Sequence, residues 1–159
     1  MSIQLEIDRA VAAAVPVPET ASWVVAADAV QKYVTHQSGQ PAGSHAVVVR
    51  IVDETESAAL NSEWRGKDYA TNVLAFPAPP LMFEGLDEAS PLGDLVICAA
   101  VVNREAIEQG KTGNDHWTHM LVHGLLHLMG YDHILDDDAH VMEAIEIDVL
   151  MQLGIANPY

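Results

Sequence analysis

Three histidines in the last third of the chain have the residue type and spacing of metal ligands. His123 and His127 are four residues apart, and His133 follows six residues later. On a helix, residues four apart lie on one face, so the first two imidazoles can converge on an ion at about 2.0–2.1 Å. Gly130 can adopt the left-handed conformation that ends a helix and turns His133 back toward that ion. The sequence therefore predicts one zinc ion held by three histidines, with a fourth position left for water.

The residue after the first histidine decides which hydrolytic chemistry the site favours. The spacing H-x3-H-x2-G-x2-H resembles the zinc site of the metzincin proteases, which predicts a metal-dependent hydrolase. Zincins carry a glutamate directly after the first histidine as the base that activates water. This chain has Gly124 there, which argues against peptide hydrolysis. Asp132 is a candidate substitute, although a turn residue or a partner that holds a ligand histidine is an equally good interpretation.

Two further histidines precede this group on the same predicted helix. His116 and His119 stand seven and four residues before His123, near the same helical face. Because three ligands are already assigned, we expect both to lie outside the ligand set, either contacting a ligand or facing solvent. His119 and Asp132 are the candidates for contacting a ligand histidine.

Composition restricts the partners and the compartment. The chain has 7 basic and 23 acidic residues, a formal charge of −16, which argues against broad nucleic-acid binding. Five basic residues nevertheless fall in the middle of the chain, which is compatible with a small positive patch: Arg50, Arg65, Lys67, Arg104 and Lys111. The single cysteine, Cys98, permits no internal disulfide. No run of eighteen apolar residues and no secretory pattern occurs, so a cytoplasmic protein without a membrane span is expected.

Hydrophobic periodicity and stop signals predict the elements that must position these residues. The predicted order is a strand at Ile3–Ile7, a helix at Thr20–Ser38, a strand at His45–Val52, a helix capped by Asp53 through Trp64, a strand at Thr71–Phe76, an irregular loop at Pro77–Pro91, a strand at Leu92–Cys98 continuing into a helix that stops at Gly110, and helices at His116–Met129 and Asp136–Leu153. This order predicts a single α+β domain over residues 1–159, with a mixed, roughly four-stranded sheet, about five helices and a metzincin-like zinc-site helix.

Motif blocks along the chain resemble the bacterial YbeY family of endoribonucleases. The segment His123–His133, read H-G-L-L-H-L-M-G-Y-D-H, is similar to the eleven-residue motif of that family. The supporting blocks are Leu60-Asn61, Trp64–Asp68, Thr71–Pro77 and Leu92–Ile97. Together they run from about residue 51 to 154, and the first fifty residues fit only in outline. Departures are small: Trp64 stands where tyrosine is commoner and Ala75 where serine is frequent.

The resemblance implies a single-strand-specific, metal-dependent endoribonuclease. It would act in ribosomal RNA maturation, notably near the 3′ end of the small-subunit RNA, and in ribosome quality control. Its partners would be single-stranded RNA, ribosomal RNA and the small ribosomal subunit; the oligomeric state stays open. The resemblance also implies zinc on the three histidines and a catalytic arginine at Arg65.

Arg65 and Lys67 have structural as well as functional interpretations. Arg65 could offset charge that develops on a phosphate in the transition state, or form an ion pair with Asp68 or Asp94. Lys67 could follow the RNA backbone or be an ordinary exposed lysine. Bases could stack on aromatic residues near them, although such residues more often belong to a core: Trp64, Tyr69 and Phe76.

Two other functions stay open at this point. A hydrolase of another class, such as a peptidase, is favoured by the histidine spacing and disfavoured by Gly124. A ribosome-assembly factor without enzymatic activity, in which the metal only stabilises the fold, would also carry this site.

Overall fold

The computed structural model describes residues 3–39, 43–79 and 90–159, which form a four-stranded sheet and five helices. The elements in chain order are β1 (Ile3–Arg9), α1 (Thr20–Ser38), β2 (His45–Val52), α2 (Glu54–Arg65), β3 (Val73–Pro77), β4 (Ser90–Cys98), α3 (Ala99–Glu108), α4 (Gly113–Leu128) and α5 (Asp136–Gln152). The predicted α+β class and the predicted number of elements are confirmed. Within the described residues, no helix is long and apolar enough to cross a membrane.

The sheet is mixed, with strand order β1-β2-β4-β3. Strands β1, β2 and β4 run parallel, and β3 is antiparallel to β4 at one edge. The parallel pairs need crossover connections, which α1 supplies between β1 and β2. The edge strand β3 and the central strand β4 together form the surface on which α4 packs.

Alternate residues of β4 face two different layers of helices. Leu95 and Ile97 belong to the main core together with α1, α4 and α5. Val96 and Cys98 point to the opposite face and pack into a smaller cluster with residues of α2 and α3. This two-residue period explains why the last four residues of β4, 95–98, are all apolar, since both faces of the strand are covered there.

Gly93 is required where β3 and α4 approach β4 from two sides. Its φ is 149°, and a Cβ there would lie 2.4 Å from the backbone oxygen of Phe76 and 2.7 Å from Leu128 Cδ2. Any side chain would therefore collide with both neighbours. The Leu92-Gly93-Asp94 block is thus a packing element that lets α4 sit on the sheet.

The predicted ends of helices and strands agree best with the structure where a nearby residue caps or terminates the element. The bounds Thr20–Ser38 and His45–Val52 are confirmed. The carboxylate of Asp53 accepts the backbone N–H of Glu56 at 2.8 Å and begins α2. The start of α4 was predicted three residues late, because the Thr112 hydroxyl accepts the Asp115 N–H at 3.2 Å and caps the helix earlier.

The predicted loop between β3 and β4 is wrong at its end. Residues 90 and 91 belong to β4 because they pair with His45 and Ala46 of β2. Strand β3 in turn begins at Val73 instead of Thr71. Residues 80–89 of the predicted loop lie outside the described residues.

Candidate metal centre

The end of α4 turns in the way that the histidine spacing requires. Gly130 has φ 97°. Its N–H donates to the His127 carbonyl at 3.0 Å, and the N–H of Tyr131 donates to the Leu126 carbonyl at 3.0 Å. These two bonds form a Schellman motif, which satisfies the last carbonyls and reverses the chain. The predicted left-handed role of Gly130 is confirmed.

Asp132 fixes the turn that follows. Its carboxylate accepts the backbone N–H of His133 at 2.7 Å. The contact is a local side-chain to backbone bond, so the turn-residue interpretation is the one that the geometry favours. His133 leaves this turn with its side chain exposed and close to the two helical imidazoles.

The three imidazoles converge with ligand-like spacing. One ring nitrogen from each of His123, His127 and His133 lies within 4.8 Å of the others. The Nε2 atoms of His123 and His127 are 3.1 Å apart. Two nitrogens bound tetrahedrally at 2.0–2.1 Å from one zinc ion would be separated by about 3.3 Å. The three histidines could therefore hold one metal ion.

The protonation state of His127 favours metal binding. Burial lowers the pKa of this imidazole, and the neighbouring His123 and His133 lower it further. A lowered pKa keeps the ring neutral near pH 7, and the neutral ring is the form that coordinates a metal.

Glu146 is a buried carboxylate directly behind this group. It lies on α5 with no exposed surface. Its Oε1 accepts a hydrogen bond from His123 Nδ1, and its Oε2 accepts one from the Tyr159 hydroxyl. Burial alone would raise the pKa of the Glu146 carboxyl, but the polar groups of His119, His123 and Tyr159 beside it outweigh burial and lower that pKa to about 2. The carboxylate is therefore ionised and accepts from both partners.

This contact fixes the tautomer of His123. Because an ionised carboxylate can only accept, the proton of the imidazole lies on Nδ1. The lone pair is left on Nε2, the atom that faces His127. Metal-binding histidines in proteins commonly have such a partner on their other nitrogen.

Glu146 and Tyr159 were not predicted from the sequence. Glu146 follows Met142 by four residues and stands among the buried positions of α5, between Ile145 and Val149. An acid on an otherwise apolar helical stripe is the signal that could have revealed it, since buried acids are rare unless paired. Tyr159 carries no comparable signal.

The other two histidines of α4 are buried, so the solvent-facing alternative is wrong for both. His119 Nε2 lies 3.5 Å from the Tyr159 hydroxyl oxygen and 3.9 Å from Glu146 Oε2, behind the three converging histidines. His116 Nε2 lies 3.1 Å from Glu105 Oε1 at the contact between α3 and α4, away from the three ligands. Burial lowers the pKa of His116.

Gly124 is a point of close approach between α4 and the sheet. A Cβ at this position would lie 2.8 Å from Leu95 Cδ2 and 3.3 Å from Val73 Cγ2. Any side chain at this position would have to displace Leu95 and Val73, which gives a packing reason for glycine where the zincins carry their base. The metzincin-like description of the helix stays a prediction from spacing.

We expect Gly124→Ala to lower the free energy of unfolding by about 1 kcal/mol. Overpacking against Leu95 costs about 1–3 kcal/mol, whereas alanine gains about 1 kcal/mol of helix propensity over glycine. Urea denaturation of Gly124→Ala, Leu95→Ala and the double variant measures this effect. The alanine at 124 should cost less, or stabilise, when Leu95 is truncated; equal effects in both backgrounds would contradict the steric explanation.

A cleft of about 960 Å³ opens over the three histidines. It is also lined by β3, by the turn at 130–134 and by the end of α2, including Trp64 and Arg65. Lys67 is exposed and is not among the lining residues. The cleft thus brings Arg65 and the candidate metal ligands to one cavity and leaves Lys67 outside it.

Arg65 differs from the other three arginines of the chain. Arg9 donates to backbone carbonyls, Arg50 pairs with two acids, and Arg104 pairs with Glu54 at 2.8 Å. Across residues 3–39, 43–79 and 90–159, the Arg65 guanidinium has no hydrogen-bond or ion-pair partner. The alternative ion pairs with Asp68 and Asp94 are therefore not formed.

The segment after Arg65 is held by the buried Asn61. The Asn61 amide donates to the Tyr69 carbonyl at 2.8 Å, and the Asn61 carbonyl accepts the Lys67 N–H at 3.3 Å. The Ser62 hydroxyl donates to Asp68 at 2.7 Å. These bonds anchor the loop on both sides, so the backbone that carries Arg65 at the cleft is fixed.

The fold and the converging histidines define a class: an α+β protein whose buried helix leads into three histidines that could hold one metal ion beneath an open cleft. The model of the family "Endoribonuclease YbeY" matches residues 14–154. The chain therefore belongs to the YbeY endoribonuclease family.

Individual relatives agree with this assignment. The protein named endoribonuclease YbeY of Alkalilimnicola ehrlichii is 49% identical over 164 residues, covering 99% of this chain and 92% of its own. That of Alteromonas mediterranea is 53% identical over 147 residues, covering 91% and 86%. The solution structure of TM1509 from Thermotoga maritima matches with a TM-score of 0.56 at 23% identity, covering 96% and 91%. At that identity, the structural likeness supports the fold alone.

Proposed function

We propose that this protein is a zinc-dependent endoribonuclease that cleaves single-stranded RNA in the cytoplasm. We place its role in ribosomal RNA maturation, near the 3′ end of the small-subunit RNA, and in ribosome quality control. The single observation that carries the proposal is that three converging histidines and Arg65, which has no ion-pair partner among the described residues, line one cleft. Family membership supports the same activity, since its relatives are named endoribonucleases.

The residues of the cleft would have different roles in the cleavage of a phosphodiester. His123, His127 and His133 would hold zinc, which when bound supplies Lewis-acid polarisation of a phosphoryl oxygen or of water. Arg65 has a planar donor fork that matches phosphate oxygens, and it has no competing partner among the described residues. It would bind the scissile phosphate and stabilise the negative charge that grows in the transition state. We assign the phosphate contact to Arg65 and leave Lys67 out, because Lys67 does not line the cleft.

A cleavage assay with matched RNAs tests this function. The purified protein, with and without a chelator, is incubated with a labelled single-stranded RNA and with the same RNA in a duplex. We expect cleavage of the single strand only, lost with chelator and restored by zinc. Absence of cleavage in the zinc-loaded protein would overturn the proposal.

The two alternative functions make different predictions in the same assay. A peptidase would cleave an unstructured peptide and spare the RNA; glycine at position 124, where the zincins carry their catalytic glutamate, argues against it. An assembly factor with a structural metal would cleave neither substrate and would unfold when the metal is removed.

Trp64 offers a direct optical report of RNA binding. Its side chain is 64% exposed at the cleft and packs edge-on against Phe76, whereas Trp23 and Trp117 are each 1% exposed. Stacking of a base on Trp64 should quench the exposed component of the tryptophan fluorescence. We expect single-stranded RNA with 2′-O-methyl groups to quench wild-type emission, and Trp64→Phe to abolish the quenching.

The affinity of the same RNA provides the matched comparison. Trp64→Ala should weaken binding by about 1–3 kcal/mol, the usual contribution of one stacked base. Tyr69→Ala is the control, because Tyr69 is 56% exposed nearby but does not line the cleft. Equal affinity of Trp64→Ala and wild type would contradict the stacking role.

A further inference from the structure

The burial of Glu146 needs an explanation that packing does not give. A charged carboxylate without exposed surface is strongly unfavourable unless its oxygens are compensated. Within the described residues, the polar contacts of its side chain lie on the side of the three histidines: His123, Tyr159 and, at 3.9 Å, His119. An apolar residue at this place in α5 would pack against the same neighbours at no electrostatic cost. The contact with the His123 imidazole therefore explains why a carboxylate is buried at position 146.

The two oxygens of Glu146 have separate tasks. Oε1 accepts from His123 Nδ1 and directs Nε2 of that ring toward His127. Oε2 accepts from the Tyr159 hydroxyl in a partly buried bond, which holds the carboxylate in its orientation. The Tyr159 ring is itself held edge-on against His119, with ring centroids 5.6 Å apart. The ring of His123 is thus oriented through two successive hydrogen bonds.

We propose that Glu146 and Tyr159 are positioning residues that set the metal affinity of the three-histidine site by fixing the orientation and tautomer of His123. This inference rests on the metal centre in the proposed function, and it does not depend on the substrate being RNA. Glu146 acts on His123 directly, and Tyr159 acts through Glu146. An oriented ligand loses less rotational freedom on binding, so the ion is held more tightly than by a freely rotating ring.

Zinc affinity of the full chain, measured by competition with a chromophoric chelator, tests the role of Glu146. Glu146→Gln keeps the shape of the side chain but presents an amide, and we expect it to weaken zinc binding about 10- to 100-fold. The control is Glu143→Gln, since Glu143 lies one turn earlier on α5 and lines the same cleft. Its affinity should stay within about twofold of wild type, because no hydrogen bond joins it to a ligand histidine across the described residues.

Tyr159→Phe tests the second hydrogen bond, the one from Tyr159 to Glu146. We expect an affinity loss of about fivefold, the usual size for one neutral donor. Because Tyr159 acts through Glu146, the double variant should bind zinc no more weakly than Glu146→Gln alone. Losses that simply multiply would overturn the assignment of Tyr159.

Cobalt(II) supplies a readout that a loss of stability would not move. The visible absorption of the cobalt-loaded protein reports the geometry of the ligands, and it should change in Glu146→Gln but not in Glu143→Gln. Wild-type zinc affinity together with an unchanged cobalt spectrum in a folded Glu146→Gln variant would overturn the inference. If the wild type bound neither zinc nor cobalt, the metal centre itself would be refuted. If it bound zinc but cleaved no RNA, only the proposed activity would fail.

Discussion

Replacing His133 by alanine is expected to abolish zinc binding and RNA cleavage while leaving the protein folded. His133 is exposed and lies in a turn, so its truncation creates no cavity. His123 would be a poorer choice, because its removal leaves Oε1 of the buried Glu146 without its donor. Loss of the Lewis acid should lower the cleavage rate at least about a thousandfold, since a metal supplies several kcal/mol of transition-state stabilisation.

Elemental analysis of protein purified without added metal, paired with single-strand cleavage, measures both effects. His140→Ala is the matched control, because His140 is exposed on α5 and lies outside the histidine group. A His133→Ala variant that kept both its zinc and its activity would exclude His133 from the site. A variant that kept its zinc but lost its activity would point to a role in catalysis other than metal binding.

Arg65→Ala is expected to lower cleavage about 100- to 1000-fold and to leave the zinc content unchanged. This loss of rate is the usual effect of removing one preorganised hydrogen-bond donor from a negative charge that develops in the transition state. Folding should be unaffected, since the guanidinium has no partner within the described parts of the chain. Arg65→Lys should recover only part of the rate, because a point charge cannot reproduce a two-pronged contact to phosphate.

Single-turnover cleavage rates of Arg65→Ala and Arg65→Lys, with zinc content determined on the same samples, check this result. Arg104→Ala is the control: it removes a positive charge that is paired with Glu54 and does not line the cleft. Full activity in Arg65→Ala would remove Arg65 from the mechanism. A loss of similar size in Arg104→Ala would instead indicate an effect of net charge.

The ligand spacing could be predicted because it is local. His123 and His127 are brought together by one turn of helix, and Gly130 carries its own signal for the reversal that delivers His133. Helix ends were predictable for the same reason, as at Gly39 and Gly66, whose φ values are 65° and 67°. Such features depend on the conformation of a few neighbouring residues.

The residues that escaped prediction depend on contacts between distant segments. Glu146 meets His123 across 23 residues because α5 packs against α4. Tyr159 lies beyond the end of α5 and meets Glu146 across 13 residues. The start of β4 is likewise set by pairing with β2, which no signal near Ser90 reports. The absence of a side chain at position 124 was visible in the sequence, but its cause, the contact with Leu95, was not.

The Arg65 guanidinium, which has no ion-pair partner in the part of the chain that the structure describes, has a consequence for how RNA reaches the cleft. With a formal charge of −16, the protein repels a polyanion at distances where only net charge is felt. Electrostatic steering, which speeds the encounter of most nucleic-acid enzymes with their substrates, is therefore absent from the approach. The protein can distinguish single-stranded from duplex RNA only at short range, within about 10 Å at ordinary ionic strength. A flexible single strand can insert one base and one phosphate into the cleft. A stiff duplex brings more negative charge and has no free base to insert.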